Sequence, residues 1–513
     1  MEFKLTYLGH ASFLFETKNA AILMDPWFSP HGAFMGAWRP LPPVDGQEEF
    51  IKSKSKEKKI YCFVSHNHQD HLDIKTLCNL NDYISEYIIV NYENKNFRNI
   101  LYNIDKHKVC EIDELSFFKR EDITMYLFRE ESGINKDSAI FCKYGDKSFL
   151  NFNDCKIFDK TKLINEKLGK INVITGQFSG AVMHPHSYNY NEEEKTKIVN
   201  QKKRRKFIAI SKFLKELSPE CYIPSAGPPL LYGENLNEIN FQENTTFPRN
   251  YEFFEWWQTK KILEDIKFLE LKPLNELCSS SIKKIKSNVC EKVTSKQLKK
   301  YIEYYKNFED EDALLTDEEI LKFLRNEFSN KLISLKKVCK DIRPKGKFSF
   351  VIDNRVGLTI NFDILNIEQW SVSGQKSNYI HKVSSKHISK MIRKGETWEN
   401  YYLSMDFLNE RSPDIYDTKL MLFLISSDPS EMEFGFKKLE EFRSTDNMTT
   451  LISKDGKKIR CSRFCPHAGA DLTNASFDGR YVVCPRHGWR FDIENNGKEI
   501  QNNEKITIEI IED

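Results

Sequence analysis

The sequence predicts an α/β protein with a helical and α+β extension and a small all-β domain at its C-terminal end. Three observations predict this fold class: successive short apolar strands and a later helical pattern fill the first 250 residues, helical and strand patterns mix after residue 250, and short strands with glycine-bearing turns fill the C-terminal stretch. We expect the domains to span residues 1–250, 251–425 and 431–513.

Composition limits the classes of function. The chain has 513 residues, which is enough for roughly three or four domains. Its 77 basic and 75 acidic residues leave a net charge of +2, so we expect no general attraction to nucleic acid or to a membrane surface. The N-terminus lacks the apolar core of a signal peptide, and the longest apolar run, near Leu420 to Ile425, is too short for a membrane span. We therefore expect a cytoplasmic protein without a membrane span, and the oligomeric state stays open.

The N-terminal strands lead to a histidine-rich loop. Phe3–Tyr7, Phe13–Glu16 and Ala21–Met24 read as successive strands, and Ile60–Val64 has the length and apolar content of a buried one. Because open sheets bind ligands at the carboxyl ends of their strands, the loop after Val64 is the predicted site.

Four residues of that loop are the candidate metal ligands and catalytic residues. Three imidazoles and a carboxylate within six residues suit two adjacent metal ions better than one. The four residues are His66, His68, Asp70 and His71.

This N-terminal layout resembles the metallo-β-lactamase superfamily, whose fold is a four-layer αββα sandwich. The resemblance is carried by Gly9-His10-Ala11-Ser12, by Asp25-Pro26-Trp27 and by the cluster from His66 to His71. It implies that Asp154, after the segment Phe149 to Asn153, is the metal-bridging carboxylate.

One ligand of that superfamily is missing here. A further histidine is expected after the strand Thr124–Phe128, but the segment Arg129 to Gly133 contains none. Glu131 or its neighbour Glu130 is expected to substitute, or else His184 or His186 approaches from a later loop. A carboxylate would favour iron or manganese over zinc.

The C-terminal domain carries a second motif, formed by Cys465-Pro466-His467 and the run from Cys484 to His487. Two thiolates on one iron and two imidazoles on the other are the ligands of a Rieske [2Fe–2S] cluster. Zinc could use the same four residues, but structural zinc sites usually pair Cys with Cys and His with His. We therefore expect a Rieske cluster bound by Cys465, His467, Cys484 and His487.

The two modules together resemble the CMP-N-acetylneuraminate hydroxylase family. Further matching stretches are Gly36-Ala37-Trp38, Asn153-Asp154-Cys155 and Pro413-Asp414-Ile415-Tyr416. In that family the Rieske domain comes first, whereas here it comes last. The resemblance implies a Rieske-coupled iron monooxygenase that hydroxylates a nucleotide-sugar-like substrate with dioxygen.

Several partners follow from that interpretation. A di-iron site would need electrons from an external donor such as a reductase, a ferredoxin or a cytochrome. Because an anionic substrate needs local positive charge, Lys203, Arg204 and Arg205 are the candidates to bind it. We also expect His467 or His487 to face the opening that contains the histidine cluster. The alternative is a zinc or manganese hydrolase of the lactonase or phospholipase type with a redox-sensing Rieske domain.

Overall fold

The computed structural model describes residues 2–132, 136–180, 183–287, 291–309, 313–372, 377–444, 447–502 and 504–511. The chain divides into two compact units, one built from residues 1–131, 136–182 and 196–309 and the other from the remaining residues. Among the helices described, none is both long enough and apolar enough to cross a bilayer.

Paired strands form the frame of the first unit. In chain order they are β1 (Lys4–Gly9), β2 (Ser12–Glu16), β3 (Ala20–Met24), β4 (Trp38–Arg39), β5 (Lys59–Phe63), β6 (Glu86–Val90), β7 (Val109–Ile112), β8 (Phe117–Arg120), β9 (Ile123–Glu131), β10 (Lys136–Tyr144), β11 (Lys147–Asn151), β12 (Val173–Gln177), β13 (Cys221–Ser225), β14 (Leu230–Leu231), β15 (Lys267–Phe268) and β16 (Glu276–Cys278). One sheet has the order β16-β1-β2-β3-β5-β6-β7 and a second has the order β15-β13-β12-β11-β10-β9-β8.

The first six helices of this part of the chain pack against the two sheets, and the seventh packs in a separate cluster with β14. They are α1 (Gln47–Lys54), α2 (Ile74–Leu80), α3 (Asn96–Asp105), α4 (Thr161–Leu168), α5 (Glu192–Leu217), α6 (Asn250–Gln258) and α7 (Ser295–Tyr305). Helix α5 begins at Glu192, ten residues before the basic run at which the sequence pattern predicts its start. Three glutamates occupy its first turn, where their negative charges interact favourably with the positive end of the helix dipole.

The two sheets share one apolar core. Phe13 and Leu23 of the first sheet lie in one cluster with Ile140 and Phe149 of the second. A separate cluster joins the other face of the second sheet to helices α4, α5 and α6, through residues such as Phe213. This layering confirms the predicted αββα sandwich.

Two short strands extend the sandwich beyond residue 250, because β15 pairs with β13 and β16 pairs with β1. Burial of their apolar residues fixes the register: Phe268 is fully buried and Leu277 nearly so. The domain boundary at residue 250 stays a prediction.

The second unit contains an α+β part and a small all-β part. The first has β17 (Lys347–Ile352), β18 (Val356–Asn361), β19 (Asn366–Gln369), β20 (Tyr379–Val383) and β21 (Leu408–Arg411), with α8 (Asp317–Leu335), α9 (Ser385–Lys394), α10 (Trp398–Ser404), α11 (Thr418–Ile425) and α12 (Pro429–Arg443). The second has β22 (Met448–Ile452), β23 (Lys458–Ser462), β24 (Ser476–Phe477), β25 (Tyr481–Val483), β26 (Arg490–Asp492), β27 (Lys498–Glu499) and β28 (Ile508–Ile511). These strands form two small sheets, β22-β23-β28 and β24-β25-β26-β27.

Candidate metal centre

The predicted histidine loop follows β5, at the carboxyl ends of the parallel strands β3, β5 and β6. Its ligand-type side chains are buried: His66 is 1% exposed, Asp70 3% and His71 0%. Polar side chains of this kind are buried only where each has partners or binds an ion. The loop therefore has the character of a site and not of a solvated turn.

The structure gathers the metal-ligand side chains into three groups. In each group the ligand atoms lie within 4.8 Å of one another. The groups are His10 with Asp70 and His71, His66 with His68 and Asp137, and His66 with His71 and Asp154. The third group contains one histidine from each of the other two groups, together with Asp154. Asp154 therefore lies where a carboxylate could bind metal ions at both positions.

Asp25, at the end of β3, orients His71. Its Oδ2 lies 2.9 Å from Nδ1 of His71, and its two oxygens also accept hydrogen bonds of 2.7 Å from the backbone N–H and the hydroxyl of Ser65. A carboxylate bonded to one ring nitrogen leaves the other nitrogen to bind a metal. Nε2 of His71 is accordingly the atom directed at Asp70 and Asp154, at 3.8 and 3.5 Å.

Buried ligand atoms without hydrogen-bond partners support metal binding at this place. Asp70 Oδ1, His71 Nε2 and Asp154 Oδ1 are buried and have no hydrogen-bond partner in the described structure. Unsatisfied buried polar atoms cost free energy, so several of them in one place indicate a missing bonded group. Imidazole nitrogens and carboxylate oxygens together suit iron, manganese or zinc.

The electrostatics of the centre also favour a cation. Burial lowers the pKa of His71, but Asp70, Asp154 and Asp25 outweigh it, so this pKa stands well above its usual value. Burial together with the neighbouring carboxylate of Glu130 raises the pKa of Asp137 to about 7. Because a bound metal ion replaces the proton on these groups, metal affinity at this centre should rise with pH.

Glu131 does not join any of the three groups among the described residues. Its oxygens accept hydrogen bonds of 2.9 and 3.0 Å from the backbone N–H groups of Glu93 and Asn94, and it forms an ion pair with Arg129. On these contacts Asp137, and not Glu131, supplies the carboxylate beside His66 and His68.

The other candidates for the missing ligand have contacts of their own. Glu130 accepts a hydrogen bond of 3.1 Å from the backbone N–H of Lys156, and Gly133 lies outside the described residues. His184 belongs to the second unit, where its Nε2 is 2.9 Å from the hydroxyl of Tyr190.

Sequence reasoning missed His10 and Asp137 as candidate ligands. His10 Nε2 lies 2.9 Å from Asp70 Oδ2, although sixty residues separate them. Asp137 pairs with Glu130 across the β9–β10 hairpin. His10 was inside a motif that carried the family resemblance, which was the available signal.

The four predicted cluster ligands lie on two loops that have the same pattern of backbone hydrogen bonds. The backbone N–H of Cys465 donates to the carbonyl of Ala470, and that of Cys484 donates to the carbonyl of Trp489, at 2.9 and 2.8 Å. In each loop the glycine four residues after the cysteine donates back to the cysteine carbonyl, and Gly469 and Gly488 have φ of 66° and 68°. The glycines are required because this left-handed conformation strains other residues.

The two loops bring their cysteines and histidines together. Cys465 and Cys484 are buried free thiols, and the rings of His467 and His487 are 4.9 Å apart. A hydrogen bond from Cys465, with further ones from the backbone N–H groups of Arg486 and His487, lowers the pKa of Cys484. Since iron binds the thiolate, this arrangement fits an iron–sulfur cluster.

Aromatic side chains enclose one of these histidines. The ring of Trp489 stacks on His467 at 4.4 Å with an angle of 6°, and Tyr416 meets the same imidazole edge-on at 5.6 Å. Trp489 therefore covers a face of His467, while Tyr416 packs against it from the segment before helix α11.

Comparison with protein families gives two matches. Residues 4–129 match the beta-lactamase superfamily domain, and residues 428–509 match the Rieske [2Fe-2S] domain.

Curated relatives match either nearly the whole chain or about half of it. A Mycobacterium tuberculosis protein described as a Rieske 2Fe-2S iron-sulfur protein is 23% identical over 96% of this chain and 97% of its own. The cytidine monophosphate-N-acetylneuraminic acid hydroxylase of Xenopus laevis is 26% identical over 44% of this chain and 38% of its own.

Solved structures were compared as well. CmlA, a diiron beta-hydroxylase from Streptomyces venezuelae, matches 54% of this chain and 53% of its own with 14% identity and a TM-score of 0.36. Igni18, a metallo hydrolase from Ignicoccus hospitalis, matches 54% of this chain and 98% of its own with 15% identity and a TM-score of 0.35.

Proposed function

We propose that this chain, in which residues 4–129 match the beta-lactamase superfamily domain and residues 428–509 match the Rieske [2Fe-2S] domain, is a Rieske-coupled oxygenase that hydroxylates an unactivated C–H bond of a nucleotide-sugar-like substrate. The observation that carries the proposal is the presence in one chain of a buried imidazole and carboxylate centre and of two cluster-binding loops. A hydrolase has no use for an electron carrier, whereas dioxygen activation needs electrons one at a time.

The proposed metal ligands divide between two positions. His66, His68 and Asp137 would bind one ion, and His10, Asp70 and His71 would bind the other, with Asp154 between them. Asp25 would keep the proton of His71 on Nδ1, so that Nε2 stays available. We propose iron at both positions; bound iron would activate dioxygen, and the cluster held by Cys465, His467, Cys484 and His487 would supply electrons.

The overall reaction consumes one dioxygen, two electrons and two protons. One oxygen atom enters the C–H bond as a hydroxyl group and the other leaves as water. The Rieske domain implies an electron-transfer partner, and we propose a reductase, a ferredoxin or a cytochrome in that role. The proposed substrate class follows from the relatives that are named as cytidine monophosphate-N-acetylneuraminic acid hydroxylases.

The test supplies the iron-loaded protein with a chemical reductant, labelled dioxygen and CMP-N-acetylneuraminate. Mass spectrometry should find one atom of gas-derived oxygen in the product. His68→Ala should lose product and keep the visible Rieske spectrum, because His68 lies outside the cluster-binding loops. His107→Ala is the matched control, since His107 is exposed on the same unit and should retain full activity.

Two results would contradict the proposal. If product forms without reductant or dioxygen, or if its new oxygen comes from water, the chain is a hydrolase. If CMP-N-acetylneuraminate and other nucleotide sugars stay unlabelled while a substrate of another class takes up labelled oxygen, the oxygenase stands and the nucleotide-sugar assignment fails.

A further inference from the structure

Further polar groups lie at the carboxyl ends of β11, β12 and β13, the edge of the second sheet that also carries Asp154. These three strands run parallel, so their ends meet at one edge of the second sheet. Asn153 follows β11, Ser179 follows β12, and Gly227 follows β13. This edge is where parallel sheets bind ligands.

Two side chains at this edge are buried without a partner. Asn153 is 0% exposed, and neither its amide nitrogen nor its amide oxygen has a hydrogen bond in the described structure. The hydroxyl of Ser179 likewise has no hydrogen-bond partner among the described residues, and this residue is 1% exposed. Each unmade hydrogen bond costs stability, so two at one edge point to a group that binds there.

The backbone of Asn153 supports the same interpretation. Its φ of 46° lies in the left-handed region, where an asparagine is tolerated better than most residues. Its carbonyl accepts a hydrogen bond of 2.8 Å from Gln177, which ties the loop after β11 to the end of β12. The amide is thus held on a fixed backbone and is not a mobile surface group.

Lys206 of helix α5 adds an amine with N–H donors. Its Nζ donates to the carbonyls of Gly180 and Thr246, at 3.0 and 3.1 Å, and it has no hydrogen-bonded carboxylate among its described contacts. An ammonium group has three N–H donors, so these two carbonyls leave one donor for a further acceptor. Burial, with the like charges of Lys202 and Lys156, lowers the pKa of Lys206 well below its usual value, and the negative charge of Asp154 offsets only part of this effect.

Glycines make the close approach of these loops compatible with the fold. A Cβ on Gly180, whose φ is 68°, would lie 3.3 Å from the Lys206 amine, and a Cβ on Gly227 would lie 3.0 Å from Cβ of Ser179. Both contacts are tighter than most real ones, so larger residues would push these groups apart.

We propose that Asn153, Ser179 and Lys206 form a subsite for an oxyanion, a phosphate or carboxylate of the substrate, beside the metal ligand Asp154. The amide, the hydroxyl and the ammonium would donate to the anion and gain the partners that they lack. This proposal rests on the proposed function for the identity of the larger molecule, but the subsite itself can be tested without turnover.

The subsite replaces part of the predicted basic site. Lys203 forms an ion pair of 2.6 Å with Glu252, and Arg204 is exposed. Lys206 comes from the same basic run, but it is half-buried and its Nζ reaches the carbonyls of Gly180 and Thr246.

The test titrates the metal-loaded protein with inorganic phosphate, and separately with acetate, by calorimetry. Phosphate, acetate or both should bind saturably, and comparison of the two affinities shows which oxyanion the subsite prefers. Ser179→Ala should weaken this binding about tenfold, the loss of one hydrogen bond to a charged group. Because it removes an unpartnered buried hydroxyl, Ser179→Ala should leave the melting temperature unchanged or raise it.

Lys206→Met should abolish saturable binding. Lys212→Met is the matched control, because Lys212 is exposed on the same helix and its loss changes the net charge equally. If Lys206→Met fails to fold, the result with Ser179→Ala decides alone.

Two outcomes overturn the subsite. One is the absence of saturable binding of either anion. The other is binding that survives Ser179→Ala and Lys206→Met but disappears in His68→Ala, which would put the anion on the metals. Failure of the oxygenase is distinguished by the gas-label assay, since anion binding would then persist without hydroxylated product.

Discussion

Asp25 holds His71 through a hydrogen bond of 2.9 Å, and this contact determines which nitrogen the histidine offers to the metal centre. The two residues are 46 positions apart and both are fully buried. The bond therefore depends on the pairing of β3 with β5, which places the two loops side by side.

Asp25→Asn should weaken metal binding at the centre by about 10- to 100-fold, because an amide cannot hold the imidazole in the required tautomer as a carboxylate does. Competition with a chelator and metal analysis would measure the loss, and the two Rieske irons should remain. Asp73→Asn is the matched control, since Asp73 is a buried carboxylate that accepts from Phe28 and Ser29 outside the centre. Equal metal affinity in both variants would exclude this role for Asp25.

Cys465→Ser should abolish the visible Rieske absorption and remove two irons per chain, because a cluster needs both thiolates. The metal centre of the first unit should keep its metal. Cys461→Ala, a buried cysteine of β23 in the same domain, should retain the full spectrum. Retention of the absorption in Cys465→Ser would refute the ligand assignment.

Trp489→Leu should raise the reduction potential of the cluster by roughly tens of millivolts, since exposure to water stabilises the more negative reduced form. The reason is the stacking of Trp489 on His467 at 4.4 Å. A redox titration followed by circular dichroism would measure the shift. Trp489→Phe keeps an aromatic cover and should show a smaller change; equal potentials in all three proteins would mean that the ring does not shield the cluster.

Lys331 gives a prediction about pH. It is 1% exposed, donates to the carbonyls of Phe423 and Leu424 at the end of α11, and its pKa is lowered to about 7 by burial, against the opposing effect of Glu327 and other nearby carboxylates. Above that pH the folded protein loses a proton that the unfolded chain keeps. The free energy of unfolding should therefore rise with pH, by up to about 1.4 kcal/mol per pH unit, until the unfolded lysine also titrates.

Lys331→Met should lack this contribution. Urea unfolding of both proteins between pH 6 and 9 would measure this contribution. The free energy of unfolding of the unsubstituted protein should increase relative to that of Lys331→Met as pH rises. Parallel profiles would mean that Lys331 keeps its ordinary pKa in the folded state.

The sequence predicted the parts of the site that are local in the chain. The cluster from His66 to His71 and the two cysteine loops each lie within a few residues, so spacing alone identified them. The αββα layering followed from the family resemblance.

The contributions of His10, Asp25 and Asp137 could not be assigned in the same way. Each comes from a part of the chain that is distant in sequence from the histidine loop: Asp25 lies 46 residues before His71, His10 lies 60 residues before Asp70, and Asp137 lies in the β9–β10 hairpin. The position of Glu131 after a strand favours it as a metal ligand in the sequence. In the structure its oxygens accept hydrogen bonds from the backbone N–H groups of Glu93 and Asn94 instead. Such competition is decided by tertiary contacts that no local pattern contains.

The two cysteine loops form a cluster-binding unit that is complete in itself. All four expected cluster ligands lie between Cys465 and His487, so the module carries its whole coordination chemistry with it and is portable. Attachment at either terminus would leave that chemistry intact and change only the neighbouring surface, which here includes Tyr416 against His467 and the ring of Phe442 against Gly469. The reversed domain order that the family resemblance implies therefore requires new contacts around the module, and not a new cluster.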